Sequence, residues 1–174
     1  MPGIIESYIH TGNSIGVLVE VGCQSNIGAR TSELKSLAKN IAMQIAACPE
    51  IKYIRIADIP TEITKSIETT EMSRKDLSKK PANIRNKVVR ERIESRLKEI
   101  CLLERDYIRE QEITVQDLIK LHDAQLSEDI QVRRFVRFQV DESENPLPPD
   151  SDWGVPNKPL PNSPDPLISE AEFE

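Results

Sequence analysis

Residues 4–21 read "IIESYIHTGNSIGVLVEV". Two runs rich in β-branched residues flank "TGNS", and Gly12-Asn13 supplies the tolerance of positive φ that a tight hairpin turn requires. The stretch predicts a β-hairpin. In its second strand Ile15, Val17, Val19 and Val21 share one face, the face a core would cover. Leu18 falls on the opposite face and predicts partial cover there as well.

Downstream, Thr31 or Ser32 can cap a helix, and Leu34, Leu37, Ala38, Ile41, Ile45 and Cys48 follow at spacings of three and four. Pro49 ends that stripe. "IKYIRI", residues 51–56, is a short β-rich run, and "ADIPTE" turns the chain into a helical segment over 61–77. A helix is expected again over 81–101. Pro81 suits its first turn, and Ile84, Val88, Ile93, Leu97 and Ile100 line one side, with Val89 and Cys101 beside them. "TVQD" at 114–117 reads as a capping box, and Val115, Leu118, Ile119, His122 and Leu126 form the apolar face behind it. In the closing "IQVRRFVRFQV", Ile130, Val132, Val136, Phe138 and Val140 alternate onto one face, with Arg134 interrupting them. This predicts a final strand that joins the hairpin's sheet. Without regular βαβ repeats, the order is that of an α+β domain: a small antiparallel β-sheet packed against helices on one side.

Charge divides the 174 residues unevenly. Residues 141–174 hold eight of the twelve prolines, nine acidic residues and one lysine, a formal −8 against −6 for the whole chain. The expected organisation is therefore a folded, nearly neutral core at 1–140 and an acidic, proline-rich, disordered tail at 141–174. Trp153, Leu160, Leu167, Ile168 and Phe173 stand out in the tail as candidate anchors for a second protein partner; a solubilising extension is the plain alternative. Cys23, Cys48 and Cys101 form no CxxC pair, so they carry neither a disulfide framework nor a zinc signature and are expected as small buried residues. There is no basic-then-apolar leader and no apolar run near the roughly 20 residues that span a bilayer. A soluble, intracellular protein is expected.

Catalytic chemistry finds little to work with. His10 and His122 each sit within an apolar pattern, and no Ser-His-Asp or Cys-His arrangement is suggested by spacing. Arg133, Arg134 and Arg137, interleaved with Phe135 and Phe138, could form a nucleic-acid platform, but a nearly neutral core favours salt-bridged strand positions. The residues thus describe a non-enzymatic domain acting by contact. The polar loop "CQSNIGAR", residues 23–30, lies between strand and helix, a common place for recognition.

Four segments, "ESYIHTGNSIGVLVEV", "AKNIAMQIAAC", "KPANIRNKVVRERIESRLKEICLL" and "IQVRRFVRF", closely resemble the core of elongation factor Ts, most of all the compact cyanobacterial and plastid form. They occur in family order from residue 4 to residue 140. The resemblance implies the elongation factor Ts core fold. It also implies a protein of the cytoplasm or plastid stroma that binds elongation factor Tu, GDP-bound or nucleotide-free, and promotes GDP/GTP exchange. No cofactor, metal, direct nucleic-acid contact or membrane is implied. The resemblance places partner binding in the loop at Gln24, Ser25, Asn26, Ile27, Gly28 and Arg30. Where the family reads close to Cys-Glu-Thr-Asp-Phe-Val-Ala-Arg, Ser25 stands for the threonine, Asn26 for the aspartate, Ile27 for the phenylalanine and Gly28 for the valine. In the family, that aromatic side chain is pushed toward the GTPase's magnesium and phosphate site. Loss of the charge and ring predicts weakened exchange, and Gly28 predicts a less stiff loop. The alternative is a non-exchanging binding module that acts as a regulator or assembly partner. "LSEDI" stands where the family has "LGENI", and "LLERDYIRE" where it has "LLDQPYIRD". The family's helical N-terminal domain, which usually precedes the hairpin, is expected to be lacking.

Overall fold

The computed structural model describes residues 2–74, 76 and 81–140. The tail from 141 onward, with Trp153, Leu160, Leu167, Ile168 and Phe173, lies outside the described residues.

The hairpin forms as read. Strands β1 (Gly3–Ile9) and β2 (Ile15–Gly22) pair antiparallel, and Gly12 and Asn13 both take positive φ, +93° and +58°. Strand β5 (Gln131–Gln139) joins the far edge of β2, giving the antiparallel order β1-β2-β5. Helix α1 (Ser32–Ala47) packs on one face of this sheet. Thr31 caps it by accepting from the Leu34 N–H at 3.2 Å. All six residues of the predicted α1 stripe are buried, and they meet Val17, Val19 and Val21 in one apolar core. Helix α4 (Val115–Leu126) brings Val115, Leu118 and Ile119 to the same core. Its capping box is present: the Asp117 N–H donates to Thr114 Oγ1, and the Thr114 N–H to Asp117 Oδ2. The fold is α+β.

Four sequence expectations change in three dimensions. First, β5 does not keep a single alternation. Val21 pairs with Val132 while Glu20 pairs with Arg134, so Arg133 is the extra residue of a β-bulge. Beyond it the faces exchange: Phe135 turns to the core, while Val136 and Phe138 turn outward with Arg134. Second, the outer face is more open than expected: Leu18 on it is 46% exposed, and Ile5 and Phe138 on the same face are 67% and 59% exposed.

Third, "IKYIRI" is not a regular strand. Tyr53 makes one isolated bridge to Cys101, and the chain then enters a 3₁₀ turn at Ile56–Asp58. A two-stranded ribbon, β3 (Asp106–Tyr107) with β4 (Glu110–Thr114), appears instead where no strand was expected. Gln44 of α1 holds it. The Ile108 N–H donates to Gln44 Oε1 at 2.8 Å, and Gln44 Nε2 donates to the Asp106 carbonyl at 3.1 Å. Gln44 is fully buried, as a polar side chain can be when both ends of its amide are partnered.

Fourth, helix α3 (Ala82–Ile100) does not set its predicted stripe in the main core. Ile84 is exposed, and the helix lies against α2 (Thr61–Met72). Between them Glu71 is buried within 4 Å of guanidinium nitrogens of Arg74, Arg92 and Arg96. A buried carboxylate needs such compensation.

The bulge also organises charge. Arg133 and Arg134 both reach Glu20, at 3.1 and 2.5 Å, and Arg133 Nη2 donates to the Pro2 carbonyl at 2.9 Å. A Cβ on Gly22 would overlap the Arg133 guanidinium, so glycine permits this close approach. Hydrogen bonds from Arg134 and then Arg133 hold the Glu20 carboxyl below its ordinary value of 4.5. The unfolded chain therefore takes up a proton at higher pH than the folded protein. The stabilisation is complete above pH 4.5 and is lost as pH falls through the lower folded value. Glu20→Gln should accordingly lower stability near neutrality, and the gap to wild type should close under acid. Urea titrations across pH 3–7 check this, and a gap that widens toward pH 3 would contradict it.

Candidate functional site

The chain between β2 and α1 is short, polar on its outside except at Ile27, and tightly bonded inside. Cys23 is fully buried, and its thiol donates to the Ser25 carbonyl at 3.2 Å. Burial and the nearby Glu128 carboxylate push that thiol above its ordinary range, so it stays protonated at neutral pH and acts as a small packed residue. Cys101 is likewise pushed up, to about 11, chiefly by burial.

From Ser25 the loop coils into a 3₁₀ turn at Gly28–Arg30. The Gly28 N–H donates to Ser25 Oγ at 2.9 Å, Ala29 N–H to the Ser25 carbonyl at 3.1 Å, and Arg30 N–H to the Ile27 carbonyl at 3.0 Å. Thr31 closes it by donating its hydroxyl to the Gly28 carbonyl at 2.8 Å while capping α1. The loop and helix are thus one continuous hydrogen-bonded unit.

Glu128 reaches this unit from the turn between α4 and β5. Its Oε2 accepts from both the Gln24 and Ser25 N–H groups at 2.9 Å, and its Oε1 accepts from the Ser25 hydroxyl. These bonds, the Ser25 hydroxyl first, hold the Glu128 carboxyl below its ordinary range. Ser127 beside it takes the left-handed conformation, φ 52° and ψ 42°, at the end of α4. That conformation costs a non-glycine residue about 1–2 kcal/mol, the physical reason a glycine suits this turn.

What projects is Ile27. It is 82% exposed, the highest value among the large apolar side chains of the described residues, and Asn26 beside it is exposed too. A rigid turn that holds an aliphatic side chain out in water is an unfavourable arrangement for a free protein and a suitable one for an anchor. A family profile described as "Elongation factor TS" matches residues 1–142. The chain belongs to the elongation factor Ts family. Over 140 residues, 80% of its length, it is 56% identical to elongation factor Ts of Trichodesmium erythraeum, 51% to that of Synechocystis and 51% to the chloroplastic elongation factor Ts of Guillardia theta. It spans 64% of the length of each of these three relatives.

The structure gathers the six sequence-selected residues of this family member into one loop and divides them by role. Gln24, Asn26, Ile27 and Arg30 are exposed, Ser25 is bonded inside the loop, and Gly28 is buried. The expectation of a less stiff loop at Gly28 finds no support in this geometry. Gly28 has no positive φ, and a Cβ there would overlap Oε1 and Cδ of Glu128. In this chain the Glu128 carboxylate lies in the space that a side chain at position 28 would enter. Glu128 itself escaped sequence reasoning, because 103 residues separate it from Ser25 and nothing local in "LSEDI" points to the loop.

Of the other candidates, His10 lies 3.2 Å from the Tyr8 hydroxyl, and His122 Nδ1 lies 2.9 Å from the Leu118 carbonyl. Arg133 and Arg134 serve Glu20, and Arg137 donates to Gln139. Among the described residues, no group of three His, Cys, Asp or Glu side chains could hold a metal ion, and no helix is long and apolar enough to cross a membrane.

Proposed function

We propose that this chain is an exchange factor of reduced strength: in the cytoplasm or plastid stroma it binds elongation factor Tu and promotes GDP release through loop 23–30. The observation that carries this reading is Ile27, held exposed on a hydrogen-bonded turn in a chain that belongs to the elongation factor Ts family. The mechanism is contact. Insertion of Ile27 beside the nucleotide site would weaken GDP without any covalent step, so no acid, base or nucleophile of this chain takes part.

Reduced strength follows from shape and charge. A branched aliphatic side chain fills a pocket suited to a flat ring less completely, and Asn26 presents no carboxylate. The same two residues favour the second reading, a module that binds without exchange.

Fluorescent-GDP release from elongation factor Tu, run beside a pull-down, tests both. Acceleration with binding is the expected result. Binding without acceleration moves the assignment to a non-exchanging module, and absence of both removes elongation factor Tu as the partner.

A further inference from the structure

Two residues far apart in the chain fit one another closely at the loop. Glu128 contributes a carboxylate that accepts from two successive backbone N–H groups, Gln24 and Ser25, and from the Ser25 hydroxyl. The Ser25 hydroxyl in turn accepts from the Gly28 N–H, so the carboxylate holds both ends of the turn that carries Ile27. The turn bearing Glu128 is itself fixed. Its N–H donates to the Asp123 carbonyl at 3.2 Å, and Asp123 Oδ1 accepts from the Ile130 N–H at 2.8 Å. Gly28 lies directly against this side chain: a Cβ there would overlap Oε1 and Cδ and lie 2.9 Å from Cγ. Contact distances under 3 Å leave no room even for a methyl group without displacing the carboxylate.

We infer that Glu128 is the positioning residue of the contact loop, and that in this chain its carboxylate lies in the space a side chain at position 28 would enter. The inference rests on the reading of loop 23–30 as the contact surface. Charge-assisted bonds to backbone N–H groups are the strong kind, and they aim the chain rather than a side chain. Ile27 makes no bond to Glu128; its direction is set because the residues on both sides of it are held. A loop positioned in this way presents its anchor at a low ordering cost on binding.

The test is a double-mutant cycle on the full chain, read first without any partner. Glu128→Ala should speed amide hydrogen exchange at Gln24, Ser25 and Gly28 by about ten-fold, with little change in core amides. Gly28→Ala should do the same, because its methyl displaces the carboxylate. In the Glu128→Ala background, Gly28→Ala should add almost nothing, since the space is then free and position 28 has an ordinary φ. Glu128→Gln, which keeps one acceptor oxygen and the side-chain length, should restore part of the protection.

Read through GDP release from elongation factor Tu, Glu128→Ala should cut acceleration about three- to ten-fold. The loss should appear in the concentration needed for half-effect, while the melting temperature moves little. If loop amides exchange equally fast in wild type and Glu128→Ala, or if Gly28→Ala costs the same in both backgrounds, the positioning role is wrong. If the exchange cycle behaves as expected while wild type releases no GDP, Glu128 still sets the loop and the error lies in the proposed partner.

Discussion

Leu37→Ala is expected to destabilise the fold by about 3 kcal/mol, within the 2–5 kcal/mol typical of fully buried leucines. Leu37 has no exposed surface and sits where α1 meets the central strand, among Val17, Val19, Val21 and Ile41. The change removes the transfer free energy of three carbon atoms and leaves a cavity that a sheet and a helix, both rigid, close only partly. A folding equilibrium lowered by 3 kcal/mol falls by more than a hundred-fold. Leu18→Ala supplies the control. It shortens the same residue type on the same sheet, but on the outer face, and should cost no more than about 0.5 kcal/mol. Urea denaturation read by circular dichroism measures both, with midpoints shifting at nearly constant slope. Equal costs for the two substitutions would mean that α1 does not cover the face assigned to it.

That contrast also marks what could be read from the chain alone. The hairpin and α1 were legible because their signals are local: positive-φ residues between two β-rich runs, and apolar residues at helical spacing. The two faces of β5 were not. Their exchange depends on a bulge at Arg133, which is held by Glu20 and the Pro2 carbonyl, both more than a hundred positions away. Helix α3 was found, but its partner was not. An apolar stripe gives no address, and the α2–α3 contact is made partly by arginines around Glu71, which resemble a solvated face in sequence. The ribbon at 106–114 was missed because its support is Gln44, a polar residue that periodicity places in no core. At the site, the loop and its projecting Ile27 were legible through family resemblance. The carboxylate beneath was not, because its partners in the loop lie 103 and 104 positions away, and with it the close approach of Gly28 to Glu128 went unread.

Changing Asn26→Asp and Ile27→Phe together is expected to raise the rate of GDP release about ten- to a hundred-fold at protein concentrations well below saturation. A buried aromatic anchor in an interface contributes about 2–4 kcal/mol, and an isoleucine in the same pocket retains part of it. Recovering 1.4–2.8 kcal/mol corresponds to one to two powers of ten. The phenylalanine should supply most of the gain, since its ring can displace groups beside the phosphate site, whereas the aspartate shapes the loop's approach. Both positions are exposed, and Ile27 accepts no packing load in the free protein, so the melting temperature should stay within a degree or two of wild type. The bonds that aim the loop involve Gln24, Ser25, Gly28 and Glu128 and are untouched by either change. A gain therefore reports the tip itself rather than a rearranged scaffold. Ile27→Ala supplies the opposite arm and should bring release close to the uncatalysed rate. If the double change leaves release at baseline while binding to elongation factor Tu is intact, the loop tip does not limit exchange. The limiting contacts must then be sought elsewhere on the surface, beginning with the outer sheet face, where Ile5, Leu18 and Phe138 are exposed.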